Sequence, residues 1–219
     1  MKKIIKIIVD ILMLILMLLE FSKLYTGQLW HEVFGIALFV LFITHNILNI
    51  KFYQNILKGK YTMLRTIKTI VNVAFLLCMV LTIVLGIPIS SAVFKALKLN
   101  GNMTVRKLHT MLGYWDLVLM SLHLGFHFRT IFAKLINFIK DKKAPKLAIY
   151  IIEFAIVIFG IKTMIDTNFG AYLLGKSSFA VPSIFAISLI NNLSIVATLA
   201  IITYNVEKAM VHFFKTQSK

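Results

Sequence analysis

The sequence predicts an all-α polytopic membrane bundle of about six transmembrane helices, a single transmembrane domain over residues 1–219. Three observations predict it. Apolar residues make up 59% of the chain and charged residues 15%, where a soluble domain carries roughly 45–50% and about 25%. Six apolar segments approach the ~20 residues a helix needs to cross the hydrocarbon layer. The Lys and Arg residues behind the formal charge of +16 cluster between those segments. That placement suits anionic lipid headgroups and topology control, and it argues against nucleic acid as a partner.

The segments follow in order. Ile4–Phe21 comes after a basic Met1-Lys-Lys-Ile-Ile-Lys start and lacks a small-x-small cleavage site, so it is expected as a retained first helix. Within it, Lys6 and Asp10 stand one turn apart and are expected to pair near the headgroups. Trp30–Ile50 and Thr69–Ile89 form the second and third segments, the latter holding Cys78, the single cysteine. Ser90–Asn100 reads as a short amphipathic surface piece that ends at Asn100-Gly101. Leu108–Phe128, Leu147–Lys162 and Val181–Tyr204 complete the set. The gaps between them are too short for a folded soluble domain. They carry no glycine-rich phosphate loop, so no nicotinamide-binding domain is expected. With the N-terminus inside, 17 of the 24 Lys and Arg residues fall on the inner side, which puts both termini in the cytoplasm.

Five of the six histidines lie in the second and fourth segments. His31 and His45 are 14 residues apart, as are His109 and His123. Fourteen residues return a helix to within about 40° of its starting face and rise about 21 Å. Each segment therefore presents two imidazoles on one stripe, one near each membrane surface. A weak internal repeat underlies this, His-x3-Gly-x9-His, in which Gly35 follows His31 and Gly113 follows His109. A glycine one turn from an imidazole leaves room for a flat macrocycle between closely packed helices. Two segments separated by one crossing run in the same direction, so His31 should face His109 and His45 should face His123. The simplest chemistry for two such pairs is two b-type haems, each held by two histidines and stacked across the bilayer. Filling both axial positions favours electron transfer over oxygen chemistry. Covalent attachment through Cys-x-x-Cys-His is excluded by the cysteine count.

The neighbouring residues leave choices open. His127 lies one turn past His123, and it either replaces it as ligand or bonds a propionate; the spacing match favours His123. Asp116 sits midway between His109 and His123 on the same stripe. It is read as a desolvated carboxyl, either tuning the haem pair or, preferred, hydrogen-bonded to a neighbouring helix through Thr44 or Asn72. Arg106 and Lys107 near one level, and Arg65, Lys68 and Arg129 near the other, either pair with propionates or contact headgroups. Trp30, Tyr114 and Trp115 either pack on the porphyrins or anchor the interface. Two rival readings use the same histidines: a divalent-metal transporter, for which the acids are sparse, and a structural or assembly subunit.

The stretches Trp30–Asn49, with His31, Gly35 and His45, and Arg106–His127, with His109, Gly113, His123 and His127, resemble the flavinylation-associated cytochromes of bacteria, which are ferric-reductase-like transmembrane cytochromes. The resemblance covers roughly residues 1–128. It implies a haem cage over residues 30–128 with additional helices over 147–204, in a bacterial cytoplasmic membrane. It also implies haem ligands at His31, His45, His109 and His123, and electron transfer to an extracytoplasmic protein carrying covalent FMN. A quinol or a cytoplasmic flavoprotein would be the donor. Asp116 stands where the family suggests a small or apolar residue, and Phe128 where it suggests tryptophan.

Overall fold

The computed structural model describes residues 2–140, 146–176 and 184–217, with side chains described over 2–128, 147–176 and 184–214. All regular structure among them is helical: α1 (Lys2–Glu20), α2 (Lys23–Leu48), α3 (Ile50–Asn55), α4 (Met63–Gly86), α5 (Met103–Lys140), α6 (Lys146–Asp166), α7 (Phe169–Leu173) and α8 (Phe185–Gln217). Two 3-10 turns, Ile87–Ile89 and Lys95–Leu97, lie in the α4–α5 connection in place of an amphipathic helix.

Among the described residues, four helices are long and apolar enough to cross a membrane: Lys23–Leu48, Met63–Ile89, Leu147–Asp166 and Phe185–Phe214. This is fewer than the six apolar segments suggest. α1 is long enough, but Lys2, Lys3, Lys6, Asp10 and Glu20 interrupt it. α5 is the longest helix, and His109, Asp116 and His123 break its apolar run. The expected start of the sixth segment, Val181, lies outside the described residues, as do the side chain of Arg129 and its propionate contact.

α1 and α2 form a tight helical hairpin around the fully buried Ser22. Gly27, at φ 81° and ψ 173°, breaks α2 just above its first turn. That backbone conformation is open to glycine and strained for other residues. The kink leaves an unbroken run from Gln28 to Leu48 that carries both histidines. α4 starts at Thr62, whose hydroxyl accepts the Arg65 backbone N–H at 3.3 Å. α4 packs on α5, α5 on α8, and α8 on α6. α1 lies between the two halves. One side of it joins Leu38 and Phe42 of α2 and Met79 of α4 through Met17, with Phe75, Leu76 and Met120 packed around them. The other joins Leu117, Phe169, Ile195 and Val196 through Leu14 and Leu18. Its third side exposes Ile4, Ile8, Ile11 and Ile15, as lipid contact requires.

Small residues set the closest crossings. A Cβ at Gly125 of α5 would stand 2.6 Å from Thr203 Cβ and 2.7 Å from the Ala200 carbonyl of α8. Gly160 meets the Ser194 carbonyl of α8 at 2.7 Å in the same way. Gly35 and Gly113, expected to leave room beside the histidines, are not at crowded crossings. A Cβ at Gly113 meets nothing within 4 Å, and one at Gly35 meets Glu20 Oε1 at an ordinary contact distance of 3.8 Å. Gly125→Val should lower the melting temperature in detergent by several degrees, the effect of about 1–3 kcal/mol of overpacking. Gly170→Ala, with nothing within 4 Å of the added carbon, should leave it unchanged.

Candidate functional site

α2 and α5 face each other across an interval in which the histidines meet in pairs. The His31 and His109 ring centroids are 6.2 Å apart, and those of His45 and His123 are 6.4 Å apart. The two pairs sit 14 residues apart along each helix, about 21 Å of helical rise. Leu38 and Phe42 of α2, Met79 of α4 and Met120 of α5 fill the layer between them.

Each of the four rings has its Nδ1 engaged. His31 Nδ1 lies 2.7 Å from Glu20 Oε2, and His45 Nδ1 lies 2.7 Å from Asp10 Oδ1, both carboxylates coming from α1. His109 Nδ1 lies 2.8 Å from the Thr82 carbonyl, and His123 Nδ1 lies 2.8 Å from Asn72 Oδ1, both from α4. Carboxylate, carbonyl and amide oxygens accept, so each Nδ1 carries the proton and donates. Each Nε2 then keeps its lone pair, the form in which an imidazole binds a metal. Among the described residues only Asn49 Nδ2 approaches one of these Nε2 atoms, that of His45, at 3.4 Å. A ring nitrogen held by a protein acceptor while the other stays free is the usual support of a metal-bound histidine.

The ring separations suit two imidazoles that share one metal ion. Two metal–nitrogen bonds of about 2 Å, plus a ring radius of roughly 1.2 Å at each end, place two ligating imidazole centroids about 6.4 Å apart. Beside the His31–His109 pair, Gly113, one turn from His109, has nothing within 4 Å of an added Cβ, whereas at Gly35 the nearest atom is the Glu20 carboxylate at 3.8 Å. Gly86, which the sequence reading missed, closes that site from α4, since a Cβ there would stand 3.2 Å from His109 Cε1. No group of three or more His, Cys, Asp or Glu side chains is gathered among the described residues.

The other site candidates fall differently. His127 is exposed, and its Nδ1 donates to the His123 carbonyl at 2.9 Å on its own helix. Its ring lies 4.5 Å from that of His123, on the wall of a cleft of about 920 Å³ shared with Lys51, Lys58, Arg65 and Lys68. Arg65 donates to the Asn55, Lys58 and Lys60 carbonyls at 2.8, 2.6 and 3.1 Å and so fastens the α3–α4 turn. Lys68 is paired at 2.8 Å with the buried Glu207 of α8. Arg106 is exposed on the first turn of α5. Asp116 is fully buried, but its partner is Thr82, whose hydroxyl donates to Oδ2 at 2.5 Å. Thr44 instead donates to the Val40 carbonyl, and Asn72 is taken by His123. The expected Lys6–Asp10 pair is replaced as well: Lys6 donates to Asn49 Oδ1 at 2.8 Å, which leaves Asp10 to His45. Tyr114 stacks on Tyr172, and Trp115 donates to the Leu173 carbonyl at 3.1 Å.

Glu32, next to His31, receives the α4–α5 connection. Its carboxylate accepts from Ser90 Oγ at 2.6 Å and from the backbone N–H groups of Ser91, Ala92 and Val93 at 2.9, 3.2 and 2.6 Å. Successive N–H groups aimed at one anion make a strong local clasp.

Fold and site together define a class: a helical protein with membrane-spanning helices that holds two preoriented pairs of imidazoles at two levels. Comparison with family models, with curated proteins and with solved structures finds no match to this chain. Glu32→Ala should raise amide exchange at Ser91, Ala92 and Val93 by about tenfold or more, the loss expected from hydrogen bonds to a charged acceptor. Unchanged protection of these amides would show that the clasp does not hold the connection.

Proposed function

We propose that this protein is a membrane cytochrome b that carries electrons across the bilayer through two b-type haems, one between His31 and His109 and one between His45 and His123. The observation that carries this reading is the pairing itself: two ring pairs at 6.2 and 6.4 Å, with all four Nδ1 atoms occupied by acceptors. Bound there, haem supplies a one-electron ferric/ferrous couple.

The chain's own residues do the rest. α2 and α5 present the ligating nitrogens, and α1 and α4 fix their tautomer and orientation. Leu38, Phe42, Met79 and Met120 keep water out of the layer between the levels. In this reading all six long helices cross the membrane, α1 and α5 included: Lys2, Lys3 and Lys6 of α1 lie at the headgroups, and Glu20, Asp116 and the histidines find partners on neighbouring helices. Both termini then lie in the cytoplasm of a bacterial cell, and His31–His109 is the outer level. An extracytoplasmic protein carrying FMN is the acceptor the family resemblance suggests, with a quinol or a cytoplasmic flavoprotein as donor.

The test is purification from haem-supplied cells, with an optical spectrum and a haem assay. The expected result is Soret and α bands that sharpen on reduction, and two haems per chain. His31→Ala and His109→Ala should each remove the same one haem, and His45→Ala and His123→Ala the other. His127→Ala should retain both. A folded, colourless protein would overturn the proposal and favour a structural subunit.

A further inference from the structure

The four Nδ1 partners are not alike. Both rings of α5 rest on neutral oxygens, the Thr82 carbonyl and the Asn72 amide. Both rings of α2 rest on carboxylates, and both carboxylates come from α1, which presents no ligating ring of its own. From this asymmetry we propose that α1 sets the redox potentials of the two sites, with Glu20 and Asp10 as positioning residues that act through His31 and His45. The proposal rests on the haem reading above and adds to it which residues make each site hold ferric iron.

Three features support it. First, a carboxylate on Nδ1–H draws that proton toward itself and makes the opposite nitrogen a stronger electron donor than a neutral acceptor does. A stronger donor favours ferric over ferrous iron and lowers the potential. Second, neither acid has another side-chain hydrogen-bond partner among the described residues, the Lys23 ammonium attracting Glu20 only from a distance. Glu20 is 15% exposed, and its Oε1 has no hydrogen-bond partner among the described residues. An acid at that depth is costly and is retained for use. Lys6, the expected partner of Asp10, is engaged with Asn49. Third, the acids are separated along α1 by ten residues, so each reaches one level only. They also differ in surroundings: the Asp10 side chain is 51% exposed against 15% for Glu20. Water screens the more exposed charge, so Glu20 has the greater leverage on its ring.

The test is redox potentiometry of the full-length, haem-loaded protein, read by optical and electron paramagnetic resonance spectra. Glu20→Gln is expected to keep both haems and raise the potential of one component, with a roughly tenfold weaker ferric preference, about 59 mV for a one-electron couple. Asp10→Asn is expected to raise the other component by less. Asp10→Glu should restore the parent value. Glu32→Gln, which neutralises a carboxylate that touches no ring, should move neither. Potentials that stay in place in both variants, or that move together by equal amounts, overturn the inference while leaving the cytochrome reading intact. Should a variant lose its haem, a nitrogen NMR spectrum of histidine-labelled protein without cofactor reads the same contact. His31 and His45 should hold the Nδ1–H form in the parent; in Glu20→Gln and Asp10→Asn an amide oxygen still accepts, so the tautomer stays while the Nδ1–H proton resonance moves upfield, the mark of a weaker hydrogen bond. An Nδ1–H resonance that stays in place in both variants overturns the inference. A parent protein that binds no haem sinks the cytochrome reading itself, and this inference with it.

Discussion

An imidazole held away from water has two nitrogens to account for, and this bundle answers for one of them four times. The Nδ1 contacts explain features of the chain that apolar composition alone does not. They explain why α1 carries Asp10 and Glu20 in a helix that otherwise exposes isoleucine to lipid. They explain why Asn72 interrupts the apolar face of α4, and why α4 comes close enough for a backbone carbonyl to reach His109. An unpaired polar group at this depth costs several kcal/mol. The ring pairs and their supports are therefore a matched set: at His109 and His123, removing the acceptor leaves a buried N–H without its partner, while His31 keeps the Glu20 carbonyl at 3.2 Å and His45 stays open to solvent or headgroups.

The same contacts divide the bundle into two supporting units. α1 with α2 presents one ring of each pair together with that ring's acceptor, and α4 with α5 presents the opposing ring with its own. α8 and α6 brace α5 from behind through small residues, with Gly125 and Gly160 admitting close backbone approach. The layer of Leu38, Phe42, Met79 and Met120 joins the units at mid-height. Apolar packing there supplies cohesion without adding any polar group that would compete for the rings.

Much of this was legible in the sequence because it is local. Helical period and crossing direction are properties of a single segment, so spacing alone put His31 opposite His109 and His45 opposite His123. What was not legible depends on how helices rotate about one another. Lys6 and Asp10 look like partners under the one-turn rule, which holds for a helix surface in water. α1 is packed on α2, and Asp10 turns to His45 instead. Thr82 could not be found by residue type for its contact with His109, because its contribution there is a carbonyl that any residue owns. Asp116 was correctly seen as withdrawn from water but assigned to the wrong neighbours, since Thr82 and Thr44 are equivalent in sequence terms and only the α4–α5 crossing distinguishes them. The span count diverged because Lys2, Lys3, Lys6, Asp10 and Glu20 lower the hydropathy of α1, and of these only Glu20 is largely withdrawn from the surface.

The break at Gly27 has a bearing on how the molecule is built. Below it, the first hairpin leaves the ribosome with two rings already aimed and braced, yet with nothing opposite them. The opposing rings arrive only after another sixty to seventy-five or so residues have been made. Neither hairpin alone completes a ring pair, so both pairs form only when two prefabricated halves dock. The facing imidazoles are thus a product of late assembly, not of either half.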